Sequence, residues 1–139
     1  MKTNHGGVAA IITDTVTQKI IPPPFKSEKF ESLCFSISSC STTVVVLLLY
    51  RPGSETVTYE FFVELTKYLE SLALMKCQIV VAGDFNIHTE RPNDNASVKL
   101  QDILSSFDCL QHMPATPTHR DGGTLDLVIT KSEQIVDNL

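Results

Sequence analysis

Ile79-Val80-Val81-Ala82-Gly83-Asp84-Phe85-Asn86-Ile87-His88 is the stretch on which the fold turns. Its opening residues are small or branched and apolar, which suits a short strand covered on both faces, and Gly83 stops it. Two polar side chains then follow two residues apart where the chain leaves the sheet, so Asp84 and Asn86 are expected to point the same way. The ends of buried strands are where α/β proteins place ligands. A carboxylate there can orient or deprotonate a water, and a neighbouring carboxamide can bind a phosphate oxygen or a metal without adding charge. The plainer alternative is a strand-to-turn junction in which Asp and Asn simply cap the backbone.

Upstream, residues 43–50 are a continuous run rich in Val and Leu that ends on Tyr50 and reads as a second buried strand. Residues 30–38 alternate, with Leu33, Phe35 and Ile37 on one face, so the two segments predict a hairpin across the small polar residues 38–42. The apolar run 8–13, after Gly6-Gly7, predicts a first strand ended by the loop that the triple proline at 22–24 imposes. After the turn chemistry of Arg51-Pro52-Gly53-Ser54, the spacing of Phe61, Leu65, Leu69 and Leu72 predicts a helix capped by Thr56 or Thr58.

Downstream, residues 91–95 are a polar loop. Leu100, Ile103, Leu104 and Phe107 predict a second, shorter helix capped by Asn95 or Ser97. Residues 110–113 suit a short strand, 114–123 a Pro- and Gly-containing loop, and 124–130 a last strand. There Leu125, Leu127 and Ile129 share a face, and Asp126 is an acid flanked by apolar residues. Strands interleaved with helices, without a repeat or linker, predict one α/β domain.

The chain has 139 residues, 42% hydrophobic and 19% charged, enough to bury an apolar core. No apolar run reaches the length of a membrane span, and the N-terminus lacks the order of a signal peptide, so an intracellular protein is expected, with nucleus and cytoplasm not distinguished. Cys34, Cys40, Cys77 and Cys109 show no CxxC spacing and read as reduced thiols. A net charge of −5 argues against tight, sequence-independent DNA binding by this chain alone, because such binding rests on Lys and Arg. A Mg²⁺ site escapes that objection, since it is itself acidic and the cation reverses the local charge.

Gly83-Asp84-Phe85-Asn86 resembles the GDFN signature of the endonuclease/exonuclease/phosphatase superfamily. Tyr50-Arg51-Pro52 is similar to its Tyr-x-Pro element, and Gly123-Thr124-Leu125-Asp126-Leu127-Val128 to its late Leu-Asp strand. Together with Gly6-Gly7-Val8-Ala9, Phe30-Glu31-Ser32 and Pro117-Thr118-His119, the wording looks most like the endonuclease domain of LINE-type (non-LTR) retrotransposons. The resemblance covers nearly the whole chain. It implies an α/β, four-layer sandwich of two mixed β-sheets flanked by helices, and hydrolysis of a DNA phosphodiester by a Mg²⁺- or Mn²⁺-assisted water.

Carried over, the resemblance makes Asp84 the carboxylate that positions the attacking water and Asn86 a holder of phosphate or metal, with Asp84 and Asn86 as the metal ligands. Tyr50 would offer its hydroxyl to the phosphate or the departing oxygen, and Asp126 would orient the family's catalytic histidine. Arg51, His88, Thr118, His119 and Arg120 would touch DNA phosphates, the alternative being solvated surface groups.

The sequence also departs from the family. The early strand with the metal-binding glutamate should precede Gly6-Gly7, where only five residues stand, and no Ser-Asp-His element occurs. Glu28 and Glu31 are poor substitutes for that glutamate. Residues 1–139 are therefore expected to be a partial domain that binds metal weakly and is inactive alone, with an exposed sheet edge. A catalytically dead remnant or binding module, and a phosphatase of the same superfamily, are the competing readings.

Overall fold

Branched residues at 43–50 and alternating residues at 30–38 pair as the expected hairpin, and a sheet grows outward from it. The computed structural model describes residues 6–112 and 117–132. In chain order the elements are β1 (Thr17–Ile21), β2 (Glu31–Ser39), β3 (Thr42–Tyr50), α1 (Tyr59–Ala73), β4 (Gln78–Asp84), α2 (Asn95–Ser106), β5 (Cys109–His112) and β6 (Asp126–Lys131). The strands form one six-stranded sheet in the order β1-β2-β3-β4-β6-β5. The β3–β4 pair is parallel and every other pair antiparallel. Parallel neighbours need a crossover, and α1 supplies it.

The two faces of the sheet have different fates. Cys34, Val45, Leu47, Leu49, Ile79, Val81, Leu127 and Ile129 share one face and pack against Phe61, Leu65, Leu69 and Leu72 of α1 and Leu100 and Leu104 of α2. The helical stripe read from the sequence is thus the face that α1 buries, widened by Phe62 and Tyr68. Phe30, Phe61 and Tyr68 meet edge-on or tilted at ring separations of 5.9 and 6.3 Å, which adds directional contacts to the area they bury. Of the expected four layers, the described residues build two, a mixed sheet and one helical layer.

Three local expectations need correction. Residues 8–13 join no ladder, and the first strand is β1, which runs into the prolines. Gly7 lies beside Glu31, at one end of β2, while Thr17 pairs with Ser38 at the other. Residues 8–16 must therefore run back along most of that strand's length without pairing, leaving Ile11 fully exposed. The cap of α2 is Asp94, whose carboxylate accepts from the Ala96 N–H at 2.8 Å, one residue before the expected Asn95. The last strand begins at Asp126 rather than Thr124. Met113 and residues 114–116 of the expected short strand and loop lie outside the described residues.

Candidate active site

Strand register assembles the site. Glu31 pairs with Tyr50, Tyr50 with Asp84, and Asp84 with Asp126, so four residues from four adjacent strands form one row across the sheet. Paired residues share a face, with Cβ atoms about 4.5–5.5 Å apart. The topology explains why the row falls at one end. β3 and β4 are parallel and both finish there, whereas β2 and β6 run the other way and begin there. The row lies on the face away from the helices.

Asp84 and Asn86 do not share a side by strand alternation, because β4 ends at Asp84. Asn86 is placed by a left-handed turn, φ 49°, a conformation Asn tolerates better than most residues. Asp84 Oδ1 accepts from the Asn86 backbone N–H at 2.9 Å, and Asn86 Nδ2 donates to the Arg51 carbonyl at 2.6 Å. The Arg51 backbone N–H in turn donates to the Asp84 carbonyl at 2.9 Å. Backbone capping and a clustered polar site therefore coexist here. Gly83 makes the close approach possible: at φ 141°, a Cβ added there would sit 1.9 Å from the Leu49 carbonyl oxygen.

Arg51 has a different job from the phosphate contact expected of it. It is only 4% exposed. Its guanidinium donates to the carbonyls of Phe85 at 2.7 Å, Glu55 at 2.7 Å, Asn86 at 2.7 Å and Pro52 at 3.2 Å. With the Phe61 ring 5.8 Å away, it clamps the turn after β3 to the turn after β4. Burial pulls its pKa below the ordinary arginine value, and the charges of Asp84 and Glu55 oppose that pull. Burial also raises the Asp84 carboxyl above the usual aspartate range. The Asn86 N–H and the nearby Arg51 lower it, and the negative charge of Asp126 raises it further.

The loop before β6 is tied to the same end of the sheet. Thr118 Oγ1 accepts from the N–H groups of Leu125 at 2.9 Å and Asp126 at 3.1 Å, so this hydroxyl fixes the start of the strand that carries Asp126. Its own proton remains available to a ligand. His88 Nδ1 lies 2.7 Å from Glu90 Oε1, and Glu90 Oε2 accepts from the Thr124 N–H at 3.1 Å. Glu90, which sequence reasoning passed over, thus links His88 to the loop. His119 and Arg120 are exposed, and His119 Nδ1 accepts from the Asp121 N–H at 3.2 Å.

Two further features were missed. Glu31 stands in the row beside Tyr50, a placement that only register reveals. Gly6 lies over the Tyr50 ring so closely that an added Cβ would meet Cε1 at 2.1 Å, and Gly7 sits beside the Glu31 carboxylate. The Gly-Gly pair was the visible signal, since paired glycines mark close backbone approach.

No group of three His, Cys, Asp or Glu side chains able to hold a metal ion occurs among the described residues. The carboxylates of the row are nonetheless hard oxygen donors of the kind Mg²⁺ takes, and Asp84 is tied to Asn86 through the Asn86 backbone N–H. No described helix is long and apolar enough to cross a membrane.

No curated protein matches the sequence. Among solved structures, the chain is similar to the endonuclease domain of TRAS1, a telomere-specific non-LTR retrotransposon, at 11% identity and a TM-score of 0.66. The match covers 85% of this chain and 54% of that one. It also resembles the Haemophilus ducreyi cytolethal distending toxin at 20% identity and a TM-score of 0.51, over 82% of this chain and 43% of that one. The chain spans about half the length of the structures it matches, and at these identities the likeness is one of fold. The family described as Endonuclease-reverse transcriptase matches residues 44–138, a span that takes in Tyr50, Asp84, Asn86 and Asp126. With more than half of its length matched, this chain belongs to that Endonuclease-reverse transcriptase family.

Proposed function

We propose that this chain carries the centre of a DNA endonuclease site of the non-LTR retrotransposon kind, one that hydrolyses a phosphodiester with a Mg²⁺-assisted water. The observation that carries the reading is the register row, in which Tyr50, Asp84 and Asp126 stand side by side at one end of the sheet. Family membership and the fold shared with the TRAS1 endonuclease domain support it.

In this reading Asp84 orients the attacking water and takes its proton. Its raised pKa suits that role, because a base whose conjugate acid lies nearer neutrality keeps the proton more readily. Tyr50 donates its hydroxyl to a phosphate oxygen or to the departing one. Asp126 stands where it would orient the family's catalytic histidine, whose Ser-Asp-His element this sequence lacks, and its charge raises the Asp84 pKa. Thr118 offers its remaining proton to the DNA backbone, joined by His119, Arg120 and His88. Mg²⁺ or Mn²⁺, held by Asp84 with Asn86 and mostly water, would neutralise charge developing on the phosphate.

So few protein ligands imply weak metal binding, and loss of members from a catalytic set that acts as a unit removes most of the rate. The isolated chain is therefore expected to be inactive or nearly so. The test is plasmid nicking with Mg²⁺, alongside titration with Mn²⁺ followed by electron paramagnetic resonance. Weak Mn²⁺ binding that Asp84→Ala abolishes, with no nicking, is the expected outcome. Metal-dependent nicking lost in Asp84→Ala would overturn the inactivity. Mn²⁺ binding indifferent to that substitution would overturn the metal role of Asp84.

A further inference from the structure

We propose that Gly53 is a positioning residue for Asn86, leaving open the space in which the Asn86 carboxamide takes up the orientation it offers to a ligand. The proposal deepens the nuclease reading: it rests on that reading for the use made of Asn86, but not for the geometry.

Gly53 stands in the turn after β3, and its own backbone does not call for glycine. Gly6, Gly7, Gly83 and Gly122 have positive φ, whereas Gly53 does not. What calls for glycine is the side chain across the gap between the two turns. A Cβ on Gly53 would fall 2.7 Å from Asn86 Oδ1, 3.0 Å from its Cγ and 3.4 Å from its Nδ2, so the carboxamide lies where a side chain would begin.

The surrounding hydrogen bonds decide which group would give way. The Arg51 guanidinium holds the carbonyls of Pro52 at 3.2 Å and Glu55 at 2.7 Å, on either side of Gly53, and so fixes the turn. The Asn86 backbone is fixed too, its N–H donating to Asp84 Oδ1 at 2.9 Å and its carbonyl accepting from the Arg51 guanidinium at 2.7 Å. The carboxamide can still rotate about its side-chain bonds, and the bond from Nδ2 to the Arg51 carbonyl at 2.6 Å is what orients it. A Cβ on Gly53 would turn the carboxamide and break that bond. The same bond sets the sense of the group, because a carbonyl only accepts: the nitrogen faces Arg51 and the oxygen is left for a ligand. An oxygen acceptor two residues from Asp84 suits a hard cation better than a phosphate oxygen.

Amide NMR, urea unfolding and Mn²⁺ titration followed by electron paramagnetic resonance test this on the 139-residue chain, with Gly53→Ala, Asn86→Ala and the double variant. The side-chain amide pair of Asn86, identified by its loss in Asn86→Ala, is expected to shift and to exchange faster in Gly53→Ala. Mn²⁺ binding is expected to weaken about tenfold in Gly53→Ala, as far as in Asn86→Ala, and no further in the double variant. Gly53→Ala should lower the urea midpoint of the parent but not that of Asn86→Ala, where the clashing atoms are gone. If Gly53→Ala does not fold, folding of the double variant supports the proposal and failure of both overturns it. An Asn86 amide pair that does not move overturns it, as does a fall in urea midpoint of the same size in both backgrounds. A moved pair with Mn²⁺ binding alike in every variant supports the positioning and overturns only the metal role of Asn86.

Discussion

Replacing Arg51 separates a structural clamp from a phosphate ligand. Its guanidinium reaches four carbonyl oxygens, at 2.7, 2.7, 2.7 and 3.2 Å, from a position only 4% exposed. Hydrogen bonds to a charged donor contribute about 1.5–3 kcal/mol each, but the acceptors lie in turns where water replaces part of what is lost. A net loss of about 3–5 kcal/mol for Arg51→Ala follows, in line with other buried charged networks. Lysine offers one compact ammonium in place of a planar fork and cannot span the same acceptors, so Arg51→Lys is expected to lose about 2–3 kcal/mol. Against a domain stability of about 5–15 kcal/mol these are large fractions. Urea unfolding followed by far-UV circular dichroism measures both. If Arg51→Lys unfolds within about 0.5 kcal/mol of the parent chain, the clamp is refuted and a surface role for Arg51 is restored.

Gly83→Ala is expected to prevent folding or remove several kcal/mol, since its Cβ would fall 1.9 Å from the Leu49 carbonyl oxygen; the circular dichroism spectrum of the purified variant reports it. Thr118→Val removes the acceptor for two backbone N–H groups, and faster hydrogen exchange at Leu125 and Asp126, with about 1–2 kcal/mol lost, is the expected reading. Because burial raises the folded-state pKa of Asp84, the native chain binds more protons than the unfolded one between the ordinary aspartate value and the raised one. Stability from this group therefore falls as pH rises through that window. Asp84→Asn keeps the Oδ1 acceptor and should unfold at higher urea than the parent at neutral pH, with the advantage fading as pH drops below the aspartate range.

Local pattern revealed what depends on neighbours in sequence. The stripe on α1 and the sidedness of Leu127 and Ile129 came through because each reports a face against the core. In β2, by contrast, Leu33, Phe35 and Ile37 fall on the face away from the helices, and it is Cys34 that joins the core. β1 did not come through, since an edge strand reading Thr17-Gln18-Lys19-Ile20-Ile21 carries little burial, and the more apolar run at 8–13 drew the prediction without having a partner. The row at the site was half legible. Tyr50, Asp84 and Asp126 each end or begin an apolar strand, an unusual place for a polar group, whereas Glu31 looked like any exposed acid until register set it beside Tyr50. Arg51 was misjudged for a related reason: nothing local tells an arginine that binds carbonyls from one that meets solvent.

Because the acids gather where β2 and β6 begin and β3 and β4 finish, the Cys40 turn between β2 and β3 lies a strand's length away, about 27 Å. Its thiol is exposed on a left-handed residue, φ 52°, while burial and the nearby Cys77 push the Cys34 thiol up to about 11. Maleimide chemistry near neutral pH should thus find Cys40 well before Cys34. A dye or surface tether attached there would leave the acidic end of the sheet untouched, giving a handle for single-molecule measurements.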